Sequence, residues 1–94
     1  MSSISAQVSV YPLRRESIGP AIRKAVDCFR QHGLDVRVGE MSTLIWGEEQ
    51  ELFHALHDAF QAAVEDGDAV MHVTLSNACP RSSNSQGEGK RVGQ

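Results

Sequence analysis

The chain is poor in cysteine, with only Cys28 and Cys79 among 94 residues and no short spacing between them. A disulfide framework and a paired-thiol zinc site are therefore excluded. It has no apolar run of ~18 residues, so no segment suits a membrane-spanning helix. The first residues lack the basic stretch and apolar run of a signal peptide, and the expectation is a cytoplasmic protein without a membrane partner. Basic side chains are scarce as well. Residues 1–80 hold six Lys and Arg against eleven Asp and Glu, a net charge of −5. Phosphate backbones need clustered Lys and Arg, which sets nucleic acid aside as a partner. The closing segment "RSSNSQGEGKRVGQ" nearly lacks large apolar residues, so 81–94 are expected to be a disordered tail behind a domain at 1–80. A domain this small buries a modest core and gains from self-association.

What is present is periodicity. In "ISAQVSVY", Ile4, Ala6, Val8 and Val10 alternate with Ser5, Gln7, Ser9 and Tyr11, which predicts a strand with one buried face. The other face is polar yet uncharged, an unusual surface for a strand left in water. Ser17 is the expected cap of a first helix with Pro20 in its first turn, an apolar face from Ile18 to Phe29, and Gly33 just past its end. Leu34, Val36 and Val38 alternate with Asp35 and Arg37, and a turn at Gly39–Ser42 leads into "TLIW", so a hairpin is expected. A second helix starts near Glu48 with an acidic first turn and a broad stripe of Leu52, Phe53, Leu56, Ala59, Phe60, Ala63 and Val64. "AVMHVTLS" gives a fourth strand, with Met71, Val73 and Leu75 on its apolar side.

The order β-α-β-β-α-β, with a single apolar stripe on each helix, predicts an α+β ferredoxin-like sandwich. Its four-stranded antiparallel sheet runs 4-1-3-2 with both helices on one face. The other face is then open, and Gln7, Ser9, Tyr11, Thr43, His72, Thr74 and Ser76 are expected on it. Several chemistries fit that frame poorly. "YPLRRES" has no glycine to turn backbone amides onto a phosphate. His54 and His57 are three apart with no third ligand in view, and a solvated helix face is the plainer reading. Cys79 near His72 would make a nucleophile only with a thiolate and a base in reach; packing at the sheet edge is the plainer role. The most distinctive piece is "GEMSTLIWG", where Ser42 and Thr43 open a central strand and need hydrogen-bond partners.

"SAQVSVYPL", "HGLDVRVGEMSTLIWG" and "VMHVTLSNACP" resemble, in order and spacing, the thiamine-binding YkoF-like family of ferredoxin-like proteins. The resemblance implies a non-catalytic protein, without a cofactor, that binds thiamine or its hydroxymethylpyrimidine moiety. Some relatives hold two such units in one chain; a single unit implies a homodimer or homotetramer through sheet faces or edges. The family pattern falls on Gly39, Met41, Thr43 and Gly47 in the hairpin and on Ser9, Ser76 and Asn77 in the outer strands. An aminopyrimidine edge suits uncharged hydrogen-bonding groups such as Gln7, Ser9, Ser42, Thr43 and Asn77. A thiazolium suits Tyr11, Trp46 or the Glu40 carboxylate, a cation over an aromatic face being worth about 0.5–2 kcal/mol. The expected ligand-binding set is Gln7, Ser9, Tyr11, Met41, Ser42, Thr43, Trp46, Ser76 and Asn77, on the open face beside the hairpin. The alternative is an oligomeric regulatory or assembly module whose open face serves only subunit contact.

Overall fold

The computed structural model describes residues 3–14 and 16–78. The chain runs β1 (Ser3–Pro12), α1 (Gly19–Gln31), β2 (Asp35–Val38), β3 (Thr43–Glu48), α2 (Glu49–Ala63) and β4 (Ala69–Ser76). The sheet order is β2-β3-β1-β4 with every neighbouring pair antiparallel, the expected order taken from the other edge. Both helices rest on β1 and against each other, which leaves the second sheet face open. The expected tail and Cys79 lie outside the described residues.

Alternation along β1 sets the layers. Ala6 and Val8 are buried toward the helices, while Gln7 and Tyr11 are exposed on the far side. Phe29, Ile45, Leu52 and Val8 are the largest fully buried side chains. Around them pack Ala25, Ala55 and Ala59, whose small side chains let the helix backbones come close. Gly47 contributes in a similar way. A Cβ there would run into the terminal methyl of the Leu34 side chain, so the glycine serves close approach rather than an unusual backbone angle.

Three expectations need correction. Ser17 does not cap α1: Ile18 takes the N-cap position with no side-chain hydrogen bond, which puts Gly19 and Pro20 at the first two helical positions, where proline fits. The α2 stripe is narrower than expected. Leu52, Ala55, Ala59 and Ala63 are buried, whereas Phe53 and Phe60 stay partly in water, because adjacent residues lie 100° apart around a helix. Leu75 is 45% exposed, since it lies near the end of edge strand β4. The helix ends otherwise behave as the residue types dictate. Glu48 is the N-cap of α2 and accepts from the Glu51 N–H at 3.1 Å, and Gly33 follows α1 with φ +78°.

One inter-helix contact was not foreseen. His32 is the C-cap of α1, and its ring bridges two carboxylates of α2. Nδ1 meets Glu51, and Nε2 lies 2.7 Å from Asp58. The hydrogen bond to Glu51, then that to Asp58, raises the His32 pKa above its ordinary 6.5. The same contact, helped by His57, lowers that of Asp58 below 3.8. The stabilisation from His32 is therefore full below 6.5 and is lost as pH rises through its raised folded value. That from Asp58 is present above 3.8 and is lost as pH falls through its lowered value. The melting-temperature deficit of His32→Gln should accordingly be largest at about pH 6 and shrink by about pH 9. A deficit independent of pH would show that the ring acts by packing alone.

Candidate functional site

The β2–β3 hairpin divides the expected site residues between two faces. Its turn is closed by the Gly39 N–H donating to the Ser42 carbonyl at 2.8 Å. Strand register then places Thr43 opposite both Val8 of β1 and Val38 of β2. Residues paired across a sheet point to the same side, so Thr43 faces the helices with Val8. Its expected place on the open face is corrected: Thr43 is only 7% exposed, and it is the one buried polar side chain among the described residues.

Gln7, Ser9 and Ser42 do come together on the other side. The Gln7 amide donates to the Ser42 hydroxyl at 3.0 Å, and the Ser9 hydroxyl donates to the Met41 carbonyl at 3.3 Å. These bonds tie the turn to β1 and satisfy one another. Met41, in the expected ligand-binding set, is 85% exposed in the turn. Trp46, opposite Ser5 and Asp35, lies half-buried on the open face with the Arg37 guanidinium 5.8 Å from its ring centroid. Tyr11 stands exposed on the same face, opposite Val70.

Ser76 and Asn77 belong elsewhere. Ser9 pairs with His72 and Ser5 with Ser76, four residues apart, which is ~13 Å along a strand. Ser76 accepts from the Ala78 N–H at 3.0 Å, and with Asn77, Glu49 and Phe53 it borders a wide surface hollow at the far end of the sheet. One small ring cannot touch both this hollow and the hairpin.

Behind the hairpin, between α1 and the end of the sheet, lies a smaller and more enclosed cleft of about 80 Å³. Val8, Val10, Ala25 and Phe29 form its apolar wall, Ser9, Ser42 and Thr43 line it as well, and Glu40 and Met41 are among its exposed members. The Thr43 hydroxyl makes no hydrogen bond to any described residue. A buried hydroxyl without a partner costs free energy unless something entering the cleft completes it. The sequence marked Thr43 as a hydroxyl in need of a partner, but alternation over so short a strand did not reveal which face it joined. Other polar groups are committed. Arg14 pairs with Asp68 at 2.9 Å, and His57 lies 3.2 Å from Asp58. Burial first, and then the carboxylates of Asp58, Asp27 and Glu65, push the Cys28 thiol up, away from thiolate chemistry.

With this fold and cleft in place, comparison with known proteins gives a consistent answer. Residues 6–83 match the model of the family described as Thiamine-binding protein, and the chain belongs to that family. UPF0045 protein MJ1052 of Methanocaldococcus jannaschii is 29% identical over 72 residues, covering 76% of this chain and 72% of the relative. Its crystal structure superposes with a TM-score of 0.77 at 25% identity over 86% of each chain. A domain of unknown function from Bacillus cereus has the same fold, with a TM-score of 0.73 at 21% identity over 90% of this chain and 86% of its own. So does a candidate thiamine biosynthesis/salvage protein of Thermotoga maritima, at TM-score 0.70 and 16% identity over 78% and 81%.

The unpartnered hydroxyl makes a testable demand on stability. Thr43→Val keeps the shape and removes the unsatisfied group, so chemical denaturation should show the free protein unchanged or up to about 1 kcal/mol more stable. A loss of about 2 kcal/mol or more would mean that the hydroxyl already has a partner in the free protein.

Proposed function

We propose that the protein is a non-catalytic carrier, buffer or sensor that binds thiamine or its hydroxymethylpyrimidine moiety at the 39–47 hairpin. The pyrimidine enters the cleft behind the turn and the rest of the ligand stays at its mouth. The observation that supports this most is the Thr43 hydroxyl, buried and without a hydrogen-bond partner among the described residues, beside the apolar wall of the cleft. A flat heteroaromatic ring with donors and acceptors along one edge complements such a cleft: that edge enters along the apolar wall and completes Thr43. Met41, exposed and unbranched, suits a movable cover over the mouth. Gln7, Ser9 and Ser42 hold the turn that shapes the cleft. The membership of the chain in a thiamine-binding family agrees with the ligand class.

Isothermal titration with thiamine and with hydroxymethylpyrimidine tests the proposal. Both should bind, and Thr43→Val should weaken both about ten-fold, the worth of one hydrogen bond to a buried group. Absence of heat at millimolar ligand with folded protein would refute it.

A second role for the chain, compatible with the first, is self-association through the open sheet face. Tyr11 and Val70 are about half exposed at one end of that face, Leu44 and Trp46 lie toward the other, and the uncharged Gln7, Ser9 and Thr74 lie between. An apolar surface of this kind commonly meets another protein surface. Sedimentation velocity should show a dimer or tetramer that Trp46→Glu dissociates. A wild-type monomer at all accessible concentrations would leave the open face without this role.

A further inference from the structure

We infer that the cleft selects unphosphorylated ligands, taking thiamine or the free pyrimidine alcohol and rejecting the corresponding phosphate esters. This rests on the reading of the cleft given above and adds a chemical class to it. At about 80 Å³ the cleft accepts a ring edge, not a two-ring molecule, so any substituent carried beyond the ring must sit at the mouth. The mouth has the wrong charge for phosphate. Among the lining residues the only charged one is Glu40, in the exposed turn.

Phosphate recognition draws on Arg forks, on Lys, or on free amides at a helix N-terminus. The nearby cations lie elsewhere: the Arg23 guanidinium is beside Gly19 at the start of α1 and outside the cleft lining, and two more are committed to other partners. Arg37, on the strand leading into the turn, lies over Trp46 on the opposite face of the sheet. Lys24, next to Ala25 on α1, is held by Glu65 at 3.0 Å and Asp66 at 2.9 Å. The first turn of α1 also lies near the cleft through Ile22, but there Pro20 replaces one of the free amides. A cationic thiazolium at the mouth meets a favourable carboxylate in Glu40. A diphosphate, carried on the arm beyond the thiazolium, meets repulsion from Glu40 and from the acidic domain.

The test is a titration series with thiamine, thiamine monophosphate and thiamine diphosphate, at low and high salt, on the wild type and on Glu40→Gln. Thiamine should bind at least about ten-fold tighter than the diphosphate at low ionic strength, with the monophosphate between them. The gap should narrow to about three-fold at ~0.5 M salt, where charges are screened within a few ångströms, and narrow likewise in Glu40→Gln. Equal binding of thiamine and diphosphate, or tighter binding of the diphosphate, would overturn the inference. A gap indifferent to both salt and Glu40→Gln would also overturn it, by showing that shape rather than charge excludes the ester. Failure of thiamine itself to bind would overturn the parent reading and this one together, and is recognisable because the reference ligand gives no heat.

Discussion

The pairing of Val8 with Thr43, and of Thr43 with Val38, is the constraint on which the account depends. Side chains in a strand alternate with a period of two, so a slip of one residue between β1 and β3 would reverse every face assignment in the hairpin. In the observed register Ile45, two residues on, enters the core beside Leu52, and Trp46 turns outward beneath Arg37. Gly47 leaves room for Leu34. The same register that builds a dry core carries one hydroxyl into its margin, where the helices stop covering the sheet. A cleft with a polar point in an apolar wall follows from where the hairpin ends, without any specialised loop.

Much of this was legible in the residues. The strand and helix order followed from two periodicities, and the sheet order followed from the handedness of the crossovers. Gly33, Pro20 and the acidic start of α2 marked helix ends because each answers a local backbone need. Long-range placement was less legible. Thr43 sits at the junction of turn and strand, where a single residue of uncertainty decides the face, and only pairing with Val8 resolves it. Ser76 and Asn77 looked like neighbours of the hairpin because the resemblance ranks residues along the chain, not along the sheet. The bridge from His32 to Glu51 and Asp58 spans two helices and leaves no local pattern, although a histidine at a helix C-terminus is in itself a common charge complement.

The two faces of the hairpin divide labour. On the open side, Gln7 and Ser9 satisfy Ser42 and the Met41 carbonyl, so the turn is held by hydrogen bonds that need no ligand. On the helix side, Thr43 has no partner among the described residues. Fixing the turn from one side while leaving the cleft incomplete on the other would preorganise it for the proposed ligand: a ring entering there would not have to order the loop, so less of its interaction free energy would be lost on binding. Ala25 and Val26 of α1 fit the same picture, since short side chains leave space where a longer one would fill it.

In the proposed binding mode a ligand ring sits behind the hairpin against Thr43 rather than on the open sheet. Titration of the isotope-labelled protein with hydroxymethylpyrimidine, followed by amide and methyl NMR shifts, tests it most directly. Shifts should concentrate at Val8, Ala25, Val26 and Thr43, with the Trp46 indole and the Thr74 amide nearly unmoved. Shifts concentrated at Trp46, Gln7 and Thr74, with the Thr43 methyl unmoved, would contradict it.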